Sequence, residues 1–167
     1  MTKPALGVDG FNRLPDRQRM RLLLGVCSTT IWARRVLAGA PFDGVDALLD
    51  RAGRVLAELP EAEIDAALDG HPRIGADVDN ASSAREQAHV IDADDDVRAE
   101  LAEKNRKYED KFGYIFLVCA SGRSAEELLG NLTQRLDHDP ETERRVMRNE
   151  LAKITRLRLE RLLRELG

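Results

Sequence analysis

The feature that most constrains this chain is a solitary apolar run. Phe112-Gly113-Tyr114-Ile115-Phe116-Leu117-Val118-Cys119-Ala120 is the one continuous stretch whose composition suits a buried strand. A lone strand has no neighbour to accept its backbone hydrogen bonds, so no sheet can form around it. The fold class expected is therefore all-α. The polar backbone of the run must be met by helix termini, by side chains or by a ligand. Aromatic residues make up only 4% of the chain, which agrees, because strands draw heavily on aromatic and β-branched residues.

Elsewhere apolar residues recur at three- and four-residue steps. Met20, Leu23, Leu24, Cys27 and Ile31 follow a start at Pro15-Asp16, with a break expected near Cys27-Ser28-Thr29. A stripe from Val45 to Leu59 stops at Pro60, and a short helix follows over residues 61–68. The stretch from Asp69 to Asn80 has no periodicity and reads as a long connection, the kind of segment in which function concentrates. Ser82 or Ser83 caps a further helix. Asp94 to Asp96 open one that reaches about Lys111, Ser124-Ala125-Glu126-Glu127 is a capping box, and Asp139-Pro140 begins a long final helix. At 167 residues these elements fit one compact domain of about eight helices spanning 1–167, with residues 1–10 expected to be flexible.

Thirty acidic residues against 26 basic ones leave no positive excess for nucleic-acid phosphates, so no nucleic-acid partner is expected. No run of about 18 apolar residues occurs, so neither a signal peptide nor a membrane span is expected. Cys27 and Cys119 are far apart, in apolar surroundings and without metal-ligand spacing; they read as reduced thiols of a cytoplasmic protein. His71, His89 and His138 share no ligand spacing either, and no metal site is expected.

Three residues could carry chemistry. Placed at 100° intervals, Met147, Leu151, Ile154 and Leu162 share one face of the last helix, and Arg158 falls in the middle of it. Such an arginine either snorkels or pairs with a buried acid, or it holds its planar fork of donors ready for an anionic or carbonyl-rich ligand. His71, directly before Pro72, is either a loop histidine bonded to backbone or an acid/base group. Glu86 completes Ser83-x-x-Glu86, which is either a capping box alone or part of a site at a helix N-terminus, where Gln87 adds an amide.

Taken in order, His71-Pro72-Arg73-Ile74-Gly75, Ser83-x-x-Glu86-Gln87, Tyr108-x-x-Lys111-Phe112-Gly113 leading into residues 116–120, and Leu157-Arg158-Leu159 resemble the OHCU decarboxylase family. OHCU is 2-oxo-4-hydroxy-4-carboxy-5-ureidoimidazoline, an intermediate of urate degradation. The resemblance extends over nearly the whole chain. It implies an all-helical, cofactor-free enzyme, commonly a homodimer, that acts on a small-molecule substrate and yields (S)-allantoin. By position, it makes His71 and Glu86 catalytic. It assigns Pro72, Ser83, Gln87, Phe116, Leu117, Val118, Cys119, Ala120 and Arg158 to substrate binding. Three positions depart from common family patterns: Arg73 follows the proline where animal members tend to carry an acid, Ile115 stands where proline is frequent, and His89 where glycine is common. The competing expectations are a non-catalytic helical interaction module, and a decarboxylase or tautomerase of a related ureido ring.

Overall fold

A computed structural model describes residues 4–71, 73, 74, 86 and 93–166, with side chains from Gly7 onward. Among the described residues no strand occurs, Glu86 is helical, and eight helices are described with their bounds. They are α1 (Pro4–Arg13), α2 (Asp16–Val26), α3 (Thr30–Leu37), α4 (Val45–Glu58), α5 (Glu61–Leu68), α6 (Asp95–Phe112), α7 (Ala125–Arg135) and α8 (Pro140–Leu166). Pro72, Ser83, Gln87 and His89, with the helix expected from Ser82 or Ser83, lie outside the described residues. No helix among the described residues is long and apolar enough to cross a membrane.

The chain divides into two compact units: residues 1–70 with 152–167, and residues 71–151. In the first, α3 packs on α2 and on α4, and α1 packs on α4. Trp32 lies at the centre with no exposed surface, and its ring N–H donates to the Ala52 carbonyl at 3.1 Å, so the one polar atom of the ring is satisfied where it is buried. The break between α2 and α3 falls at Cys27–Thr29, as the spacing predicts, and the Thr29 hydroxyl donates to Glu63 of α5 at 2.7 Å.

The start of the chain carries a helix that the pattern of apolar residues does not announce. Residues 4–13 are helical, and Val8 and Phe11 are buried. Two glycines make this possible. A side-chain carbon on Gly7 would stand 2.2 Å from the Leu163 carbonyl oxygen, and one on Gly10 3.2 Å from that of Leu166. The helix therefore lies closer to the end of α8 than a pattern of apolar residues alone can reveal.

The second unit is built on α6, α7 and the first part of α8, with the apolar run between α6 and α7. α6 ends at Gly113, whose φ of +82° closes the helix in the left-handed conformation that glycine adopts without strain. The α7 capping box forms as expected: the Ser124 hydroxyl accepts from the Glu127 N–H at 3.1 Å, and the Glu127 carboxylate accepts from the Ser124 N–H at 3.3 Å. Asp139 caps α8 by accepting from the Thr142 N–H at 2.8 Å, an interaction that lowers the Asp139 pKa. Tyr108 is fully buried in this core, its ring against those of Phe112, Tyr114 and Phe116.

Candidate active site

The run at 115–120 has neither helix, turn nor bend, and residues 116–120 are all buried. Its backbone is met by side chains. The Leu117 carbonyl accepts from Arg135 Nη1 at 2.7 Å, and the Cys119 N–H donates to Glu150 Oε1 at 3.1 Å. Arg135 stands at the end of α7, ion-paired through Nε to Glu143 of α8, and both side chains are essentially inaccessible to water. The guanidinium lies over the Phe116 ring, 4.6 Å from its centroid. Thus the charge of Arg135 meets a carboxylate and its face meets a ring, which together offset the cost of burying it.

Sequence periodicity marks Arg158 but passes over Arg135, Glu143 and Glu150, although the same test reaches them. Glu143, Met147, Glu150 and Ile154 follow one another at steps of four, three and four, so two acids ride on the apolar stripe of α8. Ala125, Leu128, Leu132 and Arg135 do the same on α7, and all four are buried. The partner that explains each charge lies on another element, which is why the pattern on one helix reads as incomplete.

Glu86 is helical and half-buried. Its carboxylate lies close enough to Cys119 to act on the thiol: burial is the main cause that raises the Cys119 pKa, and the negative charges of Glu150 and Glu86 add to it, against Arg123. Glu86 is therefore drawn to the apolar run, two expected site features in one neighbourhood. Arg123 is a cation at this place that the sequence reading did not single out. Its N–H donates to the Ala120 carbonyl at 3.1 Å, next to Gly122 with φ of +76°.

His71 opens the same unit and is half-buried. The residues just after it are anchored to α6. Arg73 forms a two-pronged ion pair with Glu109, both contacts 2.8 Å, and the Ile74 carbonyl accepts from Asn105 Nδ2 at 3.1 Å, with Ile74 and Asn105 buried. Arg73 is thus a surface group that ties the loop down. It stands at the edge of a cavity of about 460 Å³ that Arg98, Asn105, Arg106 and Glu109 also line.

Arg158 belongs to the other unit and is half-buried. Its Nη1 donates to the Val26 carbonyl at 3.4 Å, and its charge reaches Cys27. The face expected for it needs correction at one position. Met147, Leu151 and Ile154 are buried, but beyond them the buried stripe continues through Leu159 and Leu163, and Leu162 is only half-buried. By the same 100° steps Leu159 and Leu163 lie well round the helix from Arg158, so the buried face shifts along α8 and leaves Arg158 half-buried beside it.

Among the described residues, then, an all-helical fold sets an acid near a side-chain-clamped apolar run, with a histidine on an anchored loop of the same unit. The sequence profile of OHCU decarboxylase matches residues 12–160, and the chain belongs to that family. It is 46% identical over 63 residues to the uric acid degradation bifunctional protein TTL of Arabidopsis thaliana, covering 38% of this chain and 19% of that one. It is 35% identical over 74 residues to the 2-oxo-4-hydroxy-4-carboxy-5-ureidoimidazoline decarboxylase of Amia calva, covering 44% and 41%. The aligned stretches span less than half the length of these curated relatives. A crystal structure of OHCU decarboxylase in the presence of (S)-allantoin shares the fold, with a TM-score of 0.77 and 26% identity over 90% of this chain and 99% of that one.

Proposed function

We propose that this chain removes the carboxylate of 2-oxo-4-hydroxy-4-carboxy-5-ureidoimidazoline as carbon dioxide and protonates the ring carbon left behind, forming (S)-allantoin. The observation that carries the reading is the approach of Glu86 to Cys119, because it draws an acid/base group to a backbone segment that Arg135 and Glu150 hold in place. In an extended chain, alternate residues direct their N–H and C=O to opposite sides. With Leu117 and Cys119 bound to Arg135 and Glu150, the intervening Val118 backbone is the part of the run we assign to the substrate.

The chemistry suits such a site. The bond to the departing carboxylate leaves its electron pair on a ring carbon next to a carbonyl and an imine-like system, so the ring itself takes up the charge. The protein must hold the carboxylate out of the ring plane, stabilise charge on the ring oxygens and deliver one proton to one face. His71 and Glu86 serve as the acid/base pair. The amides of residues 116–120, Pro72, Ser83, Gln87 and Arg158 bind the ring carbonyls and the ureido arm. Recruitment of Arg158 to the same substrate is part of the proposal, as are the homodimer, the cytoplasmic setting and the independence of a cofactor.

The test is to supply freshly generated product of urate oxidase and hydroxyisourate hydrolase and to follow optical activity. Accelerated formation of (S)-allantoin is expected; racemic product at the spontaneous rate rejects the reading. His71→Ala and Glu86→Ala are each expected to lower turnover at least about 100-fold with thermal stability near that of the parent, the scale of a lost acid/base group. Sedimentation of the purified protein reads the dimer, activity after chelation and dialysis reads the cofactor, and cell fractionation reads the location.

A further inference from the structure

We infer that Glu150 is a positioning residue for this reaction: its carboxylate, accepting from the Cys119 N–H, sets the register and facing of the run that holds the substrate. The inference rests on the decarboxylase reading above. It concerns a group that acts through the Cys119 amide.

The argument begins with cost. A carboxylate on the apolar stripe of α8, 6% exposed, displaces an apolar side chain that would stabilise the core without desolvating a charge. Among its interactions is a charge-assisted hydrogen bond to one amide of the run, stronger and more directional than a neutral one. That amide lies in a five-residue buried segment, 116–120, that no helix or sheet registers. In a helix, backbone bonds fix each residue against its neighbours; in this run nothing internal prevents a slip or a rotation about the chain axis. Two points on one side define the facing of an extended segment. Arg135 supplies one at the Leu117 carbonyl and Glu150 the other at the Cys119 N–H, one donor and one acceptor two residues apart. Arg135 is also a pillar of the core through Glu143, so its removal would confound folding with function. Glu150 is the clamp that can be varied.

Reach and charge can be separated by two conservative changes. Glu150→Gln keeps an acceptor oxygen at the same distance and removes the charge; Glu150→Asp keeps the charge and withdraws the oxygen by one methylene. Positioning requires reach. We expect Glu150→Gln to stay within about threefold of the parent in kcat. Glu150→Asp should lose about 10- to 100-fold in kcat with little change in KM and release a larger share of the wrong enantiomer, because a misplaced donor weakens stabilisation of developing charge more than ground-state binding. Amide hydrogen exchange at Cys119, read by NMR without substrate, should accelerate at least about tenfold in Glu150→Asp and not in Glu150→Gln. An Asp variant that matches the parent in kcat, enantiomeric purity and exchange overturns the inference, and so does a Gln variant that fails where Asp succeeds. An inactive parent protein rejects the decarboxylase reading and with it a role in that reaction, while the exchange measurement still decides whether Glu150 holds the run.

Discussion

Burial pushes the Cys27 thiol up to about 11, against the opposing pull of a hydrogen bond with the Thr29 backbone, the charge of Arg158 and a hydrogen bond with Thr155. At neutral pH the thiol is protonated and so carries no charge beside Arg158. The folded protein keeps this proton to higher pH than the unfolded chain, whose thiol has the ordinary value of 9.0. The resulting stability is complete below that value and is lost as pH rises from about 9 to 11, roughly 2–3 kcal/mol in all. Thermal melts across this window should therefore show a falling Tm for the parent protein and a shallower fall for Cys27→Ala; parallel slopes would show that another group is responsible. Residue by residue, Cys27 and Cys119 are legible in the sequence as buried thiols. Glu150 is not, because an acid on an apolar stripe acquires its meaning only from the amide it meets.

Among the elements, α1 shows how a single atom decides whether a helix docks. Gly7→Ala would place a methyl carbon 2.2 Å from a backbone oxygen of α8, and backbone cannot step aside as a side chain can. Gly25, exposed in α2, meets nothing within 4 Å. The same substitution is expected to act in opposite directions: about 1–3 kcal/mol of destabilisation at Gly7 from overpacking, and up to about 1 kcal/mol of stabilisation at Gly25 from the better helix former. Chemical denaturation of the two variants checks both signs. Elements with strong local signals were legible with their ends nearly in place. α5 occupies residues 61–68 as expected, α7 opens on its capping box, and α8 begins at Pro140. α1 lacks such a signal, since its stability comes from a partner far away in sequence.

At the scale of the whole molecule, the chain leaves the first compact unit after Gly70 and returns to it at Ala152, within α8. One unbroken helix thus supplies the second unit with its first turns, which carry Glu143 and Glu150, and the first unit with its last turns, which carry Arg158 and Leu163. Melting either unit alone would cut this helix in the middle, so we propose that residues 1–167 fold as one cooperative domain. Calorimetry should find a single transition whose van't Hoff and calorimetric enthalpies agree, and two resolved transitions would refute it. By itself the sequence determined the helical class, most helix limits and, through the order of its motifs, the family, because periodicity, caps and motifs act over a few residues. Only the tertiary structure decided how the run at 116–120 is held and which way it faces. Hydrogen bonds from Arg135 and to Glu150 join residues 18 and 31 positions apart, and no local pattern encodes a pairing that the fold alone brings together.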